Sequence, residues 1–159
     1  MGLDSVDVRS EVAVCNLVYR YAELMDEGRF EDVADELFVH AQFVMGPEGT
    51  PKIDADAMLA VLNRMVIRHA DGTLRTKHVI TNPIVEVDEA ADTATCRSYY
   101  TVFQQTDTLP LQAIVCGRYH DRFERVNGRW RFSERDYTLV DMVGDVSQHL
   151  RVPITPAGR

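Results

Sequence analysis

The side chains of His78 and Asp26 are the best candidates for acid–base chemistry in this sequence. An imidazole titrates near neutral pH, so it can take up and return a proton under physiological conditions. His78 lies in an alternating strand pattern in which Thr76, His78 and Ile80 share one face, so the imidazole points inward if Ile80 does. The alternative interpretation is a core histidine that hydrogen-bonds a backbone carbonyl.

Asp26 lies at the C-terminal end of the first predicted helix. The helix macrodipole disfavours a negative charge there by a few tenths to about 1 kcal/mol, so a compensating partner is expected. An imidazolium would compensate, and the carboxylate could in turn fix the tautomer of His78 and stabilise its charged form. The alternative is an exposed helix-end acid, which is the interpretation we give to Glu23 and Glu27.

Periodicity predicts the elements that must position these two residues. Apolar positions recur every three or four residues over residues 4 to about 28, 29–37 and 54 to about 69, which predicts three helices. Asp4 or Ser5 suits the start of the first helix and Gly28 suits its stop. After Gly72 the period changes. Residues rich in Val, Ile, Thr, Tyr and Phe predict a short strand at 43–45 and long strands at 75–88, 93–106, 111–126 and 129–140.

Two local signals refine the strands. Asn127 and Gly128 tolerate the positive φ angles of a type I′ turn, which predicts a hairpin. Pro83 cannot donate a ladder hydrogen bond, which predicts a bulge or bend in the first long strand.

This order of elements predicts an α+β fold in which three N-terminal helices pack on a strongly curved, mostly antiparallel sheet. We expect the sheet to form a closed or nearly closed cone-shaped barrel with an internal pocket for one ligand. The domain is expected to span residues 1–144, and residues 145–159 are expected to form a loosely held tail.

The bulk composition excludes several function classes. With 45% hydrophobic and 26% charged residues, the chain resembles an ordinary globular domain. A net charge of -8 disfavours nucleic acid as a partner. No apolar run approaches the roughly 20 residues of a membrane span, and the N-terminus lacks a secretory signal, so we expect a cytoplasmic protein without membrane contact.

Metal and cofactor motifs are absent from the sequence. Cys15, Cys96 and Cys116 are widely spaced and embedded in apolar sequence, so we expect each to be a reduced thiol in the core, and we expect no zinc site. No dinucleotide loop, phosphate loop or GxSxG elbow occurs. We expect the other histidines to lie on the surface or at element ends: His40, His69, His120 and His149.

Three strings in the right order resemble the SnoaL-like branch of the nuclear-transport-factor-two-like superfamily, over roughly residues 8–140. They are Tyr-Ala-Glu-Leu-Met-Asp at 21–26 followed by Gly-Arg-Phe, Leu-Arg-Thr-Lys-His-Val-Ile-Thr-Asn at 74–82, and Asn-Gly-Arg-Trp-Arg-Phe at 127–132. Scytalone dehydratase, bile-acid dehydratase and lindane dehydrochlorinase belong to this branch. The resemblance implies a pocket inside a cone, no metal, no organic cofactor, frequent dimers or trimers and, in the lyases, a His–Asp dyad.

The resemblance also implies roles for Tyr21 and Arg135. The phenol of Tyr21 precedes Asp26 by five positions, as in bile-acid dehydratase, and could stabilise an enolate. Five residues turn a helix about 140° out of register, so core packing is an equal alternative. Alignment on Trp130 turns Arg135 toward the pocket, where it could bind an oxyanion or a leaving group. A surface ion pair with Glu134 or Asp136 is the alternative.

We expect further substrate contacts from Tyr119, Tyr137, Tyr100, Met45, Ile80 and Asn82. The second catalytic histidine of scytalone dehydratase falls on the strand around Tyr100, where this chain has none, so its specific substrate is not implied.

The sequence therefore predicts a cofactor-independent lyase or isomerase, with dehydration as the leading reaction. The substrate is expected to be small, hydrophobic and cyclic or aromatic, and the protein is expected to be a homodimer or homotrimer. The alternative is a non-catalytic ligand-binding or assembly subunit, such as the small subunit of an aromatic-ring dioxygenase, because one fold serves many functions.

Overall fold

The helices follow the predicted order in the computed structural model, which describes residues 8–158. Helix α1 spans Val8–Asp26, helix α2 spans Phe30–Asp32 and continues into a π-helical segment at Val33–Phe38, and helix α3 spans Ala55–Met65. The expected caps at Asp4 and Ser5 lie outside the described residues. No helix in the described part of the chain has the length and apolar character to cross a membrane.

The ends of α1 and α3 have clear local causes. Gly28 has a φ of 71°, and its N–H donates to Met25 while the next N–H donates to Leu24, which is the glycine-stopped Schellman ending. The side chain of Asp54 caps α3 by accepting the N–H of Ala57 at 3.0 Å. Helix α3 ends four residues before the expected position, because Val66 is extended and forms a β-bridge with Leu150.

Six strands form one curved sheet in the order β1-β5-β4-β3-β2, with β6 paired to β4. Strands β1 and β5 are parallel, and the other pairs are antiparallel. The predicted hairpin between β4 and β5 is confirmed, since Asn127 and Gly128 have φ angles of 50° and 75°. The strands are Gln42–Val44 (β1), Thr76–Asp88 (β2), Thr93–Gln104 (β3), Gln112–Val126 (β4), Arg129–Asp136 (β5) and Val140–Val143 (β6).

The α+β fold class is confirmed, but a closed barrel is not. Strands β1 and β2 form the two ends of the sheet path, and no pairing joins them within the described residues. Helix α1 packs along β2, so a helix rather than a strand covers that end of the sheet. The core between the helices and the sheet is rich in large apolar side chains, including Leu24, Phe38, Ile114, Phe123 and Phe132.

The predicted irregularity at Pro83 is confirmed as a shift in the β2–β3 register between Thr81 and Ile84. A second bulge was not predicted. Phe123 pairs with Phe132 and Arg122 pairs with Glu134, so one residue of β5, Ser133, is extra.

The extra residue in β5 changes which side chains are buried. Phe132 and Arg135 are both buried, although they are three positions apart and strict alternation predicts opposite faces. Strict alternation would group Phe132 with Glu134 on the face opposite Arg135, and the extra residue prevents that arrangement.

The segment after Gly144 packs against the domain, so the expectation of a loosely held tail is wrong. Val146 and His149 are buried. The N–H of Ile67 donates to the carbonyl of His149, and the N–H of Ala157 donates to Val140. These contacts secure the segment at several points along its length.

The three cysteines are free thiols, as predicted. Cys96 is fully buried, whereas Cys15 and Cys116 are half-buried. Burial raises the pKa of the Cys96 thiol to about 12, with a further contribution from the nearby Asp121 carboxylate. A thiol with this pKa is protonated at neutral pH and is a poor nucleophile.

Candidate active site

The imidazole of His78 and the carboxylate of Asp26 meet between strand β2 and the end of helix α1. The distance from His78 Nδ1 to Asp26 Oδ1 is 2.6 Å. The side chains are 5% and 10% exposed respectively. The structure therefore brings together the two residues that the sequence marked for acid–base chemistry, and Asp26 is not an exposed helix-end acid.

Strand β2 supplies the groups that hold the Asp26 carboxylate. The Thr76 hydroxyl donates to Oδ1 at 2.8 Å. The backbone N–H of His78 lies 3.1 Å from Oδ1 and 3.0 Å from Oδ2. These donors compensate for the unfavourable end of the α1 macrodipole, and they fix the carboxylate while one oxygen contacts the imidazole.

A close backbone approach holds the end of α1 against the start of β2. The N–H of Leu74 donates to the carbonyl of Asp26 at 3.2 Å. A Cβ atom at Gly28 would lie 2.2 Å from the carbonyl oxygen of Gly72, so only glycine fits there. The α1 stop signal and the first residues of β2 therefore determine together where Asp26 and His78 meet.

This geometry prepares His78 to act as a base. A carboxylate is acceptor-only, so Nδ1 carries the proton of the 2.6 Å contact, a tautomer assigned from the hydrogen bond. The lone pair of Nε2 is then available for a substrate proton. As the ring becomes charged, the Asp26 carboxylate stabilises the imidazolium.

Both members of the dyad line a groove of about 920 Å³. Thr76, Ile80 and Phe103 contribute to its wall next to the dyad. Charged side chains surround this part of the groove: Glu23, Glu27, Asp71, Arg75 and Lys77. The volume admits a small ring system, and the lining is amphipathic rather than wholly apolar.

Four tyrosines that the sequence analysis selected form a packed cluster. The rings of Tyr100 and Tyr119 stack with centroids 4.4 Å apart, and the Tyr137 hydroxyl donates to the Tyr21 hydroxyl at 2.9 Å. Tyr21 and Tyr119 meet edge to face at 5.9 Å. Burial raises the pKa of Tyr119 and of Tyr137, and the nearby Tyr21 adds to both effects.

Arg135 is the charged centre of this tyrosine cluster. Its Nε and Nη2 atoms each donate to a carboxylate oxygen of Asp121 at 2.7 Å. The guanidinium carbon lies 4.1 Å from the Tyr21 ring centroid and 4.0 Å from that of Tyr119. Both charged side chains are 0% exposed, so the alternative of a surface ion pair with Glu134 or Asp136 is wrong.

The buried pair remains ionised because each charge stabilises the other. Burial lowers the pKa of Arg135, but the Asp121 carboxylate more than offsets this effect and raises it well above its usual range. Burial raises the pKa of Asp121, and the guanidinium opposes that rise. Because Nη1 of Arg135 has no partner within the described residues, the pair is incompletely satisfied.

The dyad and the tyrosine cluster are separate features of the structure. Helix α1 continues unbroken through Asp26, so Tyr21 and Asp26 do not converge as a partly unwound helix end would allow. Tyr21 packs in the core, and neither it nor Arg135 belongs to the lining of the groove. Met45 is 37% exposed just beyond β1, and Asn82 is exposed at the β2 bulge with a φ of 41°.

The sequence analysis missed His149. Its side chain is buried, and its ring centroid lies 6.1 Å from that of His78. The expectation of a surface or element-end position is therefore wrong for His149, although His40 and His120 are exposed as expected. The apolar residues Val146 and Leu150 on either side of His149 were the available signal that this segment packs.

The half-buried His69 contacts the carbonyl of Gln148 through Nε2 at 3.0 Å. Within residues 8–158, no group of three or more His, Cys, Asp and Glu side chains is arranged to hold a metal ion.

A family model for the SnoaL-like domain matches residues 6–136. The chain belongs to the SnoaL-like domain family. The resemblance carried by the three sequence strings is thereby confirmed. No curated protein matches this SnoaL-like chain.

Solved structures show how widely this SnoaL-like fold is used. A candidate scytalone dehydratase from Novosphingobium aromaticivorans has 21% identity and a TM-score of 0.68, over 96% of each chain. A variant of Rv3472 from Mycobacterium tuberculosis, a protein of unknown function, has 24% identity and a TM-score of 0.67, over 90% of this chain and 78% of its own.

The beta subunit of a candidate aromatic-ring-hydroxylating dioxygenase from Novosphingobium aromaticivorans is also similar. It has 18% identity and a TM-score of 0.65, over 91% of this chain and 97% of its own. At these identities the likenesses show a common fold, and the reaction must be argued from the site.

Proposed function

We propose that this protein is a cofactor-independent lyase or isomerase in which the His78–Asp26 dyad moves a proton of a small organic substrate. The observation that carries the proposal is the 2.6 Å contact from His78 Nδ1 to Asp26 Oδ1 beside a groove of about 920 Å³. A base, a group that orients it and an adjoining space for a substrate are the minimum parts of such a site.

Dehydration is the leading reaction because one base can complete it. Nε2 of His78 takes the proton from a carbon next to an electron-withdrawing group, and the electrons of the C–H bond form the new double bond. The C–O bond to a neighbouring hydroxyl breaks, and the departing oxygen takes the proton from the imidazolium and leaves as water. The dyad returns to its starting state, with Asp26 ionised throughout.

Loss of another leaving group and a double-bond shift use the same first step. In a double-bond shift, the imidazolium returns its proton to a different carbon. The substrate class is a small cyclic or aromatic compound with an acidic C–H bond and at least one oxygen. Such a molecule matches a groove where Ile80 and Phe103 lie among charged side chains.

The proposal is tested by screening hydroxylated cyclic compounds for a change in ultraviolet absorbance, since elimination extends conjugation. With a compound that turns over, we expect His78→Ala to lower kcat/KM by about 10²- to 10⁴-fold, the usual contribution of a general base. The matched control is His40→Ala, because His40 is exposed in the turn before β1.

Equal turnover by the native protein and His78→Ala would remove His78 from the mechanism. Thermal unfolding of both variants checks that a loss of activity is not a loss of folded protein.

A second candidate function is favoured by the face of the sheet that points away from α1. The cross-strand row of Val79, Thr101, Cys116 and Met142 crosses four strands. Val79 and Met142 are 40% and 59% exposed, and Tyr99 on the same face is 55% exposed. Exposed apolar side chains on neighbouring strands are typical of a protein contact surface, so an assembly subunit is the alternative to an enzyme.

The solution mass and the turnover of the native protein together distinguish the two roles of this face. A homodimer or homotrimer that Met142→Glu dissociates, with turnover by the native protein, supports an oligomeric enzyme. A native protein without turnover in the screen supports the assembly role instead.

A further inference from the structure

The segment after β6 brings His149 to the dyad and holds it there through the backbone. The N–H of Ile67 donates to the carbonyl of His149 at 2.9 Å, and the N–H of Arg151 donates to Met65 at 2.9 Å. Leu150 forms a β-bridge with Val66 between these two bonds. His149 and the two residues after it are thus fixed to the end of α3.

A buried glutamine connects this segment to the start of the strand that carries His78. The side-chain amide of Gln104 donates to the carbonyls of Leu74 and Gln148, both at 3.0 Å. Gln104 is 1% exposed and pairs across the sheet with Thr76. The position of His149 relative to the dyad is therefore determined by hydrogen bonds from two directions.

The His149 ring lies beside the dyad but outside the lining of the groove, and one of its nitrogen atoms is unpaired in the described part of the chain. The residue is 6% exposed, and its ring meets the ring of His78 edge to face at 6.1 Å. Its Nδ1 atom is buried and has no hydrogen-bond partner within the described residues. Buried polar atoms in native proteins are almost always paired, so an unpaired imidazole nitrogen next to a candidate base needs an explanation.

We propose that His149 is a substrate-binding residue of this site, which hydrogen-bonds an oxygen of the molecule whose proton His78 removes. This inference rests on the proposed function, and it adds a residue that lies beyond the part of the chain matched by the family model, residues 6–136. The ligand class is a ring compound whose carbonyl or hydroxyl oxygen is near the acidic C–H bond.

The charge state of His149 suits this role. Burial, reinforced by the nearby His78 and His69 and opposed by Asp26, lowers the pKa of His149 to about 3. The ring is therefore neutral at physiological pH. A neutral imidazole can donate to an oxygen at which negative charge develops without adding a second positive charge beside His78.

The test compares two fluorescent probes that differ by one oxygen, 2-naphthol and naphthalene. The structure predicts that His149→Leu weakens binding of 2-naphthol by about tenfold, the loss of one hydrogen bond, and changes naphthalene binding by less than about twofold. His149→Asn restores part of the 2-naphthol affinity because its amide lies close to the position of Nδ1. His40→Leu is the matched control, since it removes an exposed histidine.

Histidine ¹⁵N resonances provide a second measurement that requires no turnover. In the native protein, 2-naphthol is expected to shift the imidazole resonances of His149, and naphthalene is expected to leave them unchanged. The proposal is overturned if His149→Leu loses affinity equally for both probes, or if the native protein does not bind 2-naphthol.

The two proposals fail in different ways. Equal turnover by the native protein and His78→Ala would end the proposed mechanism, while a His149 resonance shift with 2-naphthol would still support an oxygen-binding residue at this position. An unchanged His149 resonance with bound 2-naphthol would end the present inference without affecting the dyad.

Discussion

Two buried carboxylates each pair with a basic side chain within residues 8–158, and the two pairs have different environments. Asp121 and Arg135 are direct cross-strand partners on β4 and β5, and both are 0% exposed. Asp26 and His78 join a helix end to an edge strand and line a groove. Both pairs are buried and close, so burial and distance alone do not distinguish a site for chemistry from a structural ion pair.

The difference lies in what the basic partner can do. Arg135 retains its proton at any physiological pH, and its complete burial among the tyrosine rings prevents access by a substrate. His78 uses one ring nitrogen for Asp26, and in the proposed mechanism the other exchanges a proton with the substrate. A titratable atom that is free and reachable is therefore the feature that distinguishes the candidate active site.

The largest expected effect is on stability, at the Asp121–Arg135 pair. Asp121→Asn leaves the guanidinium buried without its counter-charge, so we expect a loss of about 3–5 kcal/mol in the free energy of unfolding. Urea denaturation measures this loss. The double variant Asp121→Leu/Arg135→Met is expected to be more stable than Asp121→Asn, because it removes both buried charges. A loss below about 1 kcal/mol in Asp121→Asn would show that the Asp121 carboxylate is not needed to stabilise the buried guanidinium.

The same substitution at the dyad is expected to act mainly on turnover. In Asp26→Asn the amide N–H₂ faces Nδ1 of His78, which favours the tautomer with its proton on Nε2 and removes the basic lone pair. We expect kcat/KM to fall by about 100-fold or more, with a smaller loss of stability than in Asp121→Asn. If the two variants lost equal stability and Asp26→Asn kept its turnover, the contrast between the pairs would disappear.

The smallest expected effect is the pH dependence that the neutral His149 contributes to the free energy of unfolding. Its pKa is about 3 in the folded protein and near the ordinary 6.5 in the unfolded chain. Between these values the unfolded chain binds the proton and the folded protein does not, so stability falls as the pH decreases. We expect a loss of about 1.5 kcal/mol from this group between pH 6.5 and pH 5.

Denaturation of the native protein and of His149→Leu at several pH values isolates the contribution of His149, because the other groups titrate in both. The native protein is expected to lose stability relative to His149→Leu as the pH falls. A constant difference would mean that folding leaves the pKa of His149 unchanged.

Elements whose signals are local were predictable from the sequence. The stop at Gly28, the cap at Asp54 and the turn at Asn127 each depend on the conformational preference of one or two residues. The irregularity at Pro83 was predictable for the same reason, since a proline cannot donate to the ladder. The end of α3 was not predictable, because the bridge from Val66 to Leu150 joins residues far apart in the chain.

The candidate site was predictable only in part. Strand alternation placed His78 on the same face as Ile80, and the SnoaL-like strings drew attention to Asp26. The partner of Arg135 was missed because the bulge at Ser133 shifts every later residue of β5 by one position relative to β4. His149 was missed because its location depends on how the segment after Gly144 folds back.

The sequence by itself indicated the three helices, the long strands and most of their ends, and it marked His78 and Asp26 as candidates for proton transfer. These properties depend on side-chain type and on spacing within one element. Only the tertiary structure decided that Asp121 neutralises Arg135, that the sheet remains open between β1 and β2, and that His149 lies beside His78. Each of these depends on contacts between distant segments, whose geometry follows from register shifts and packing.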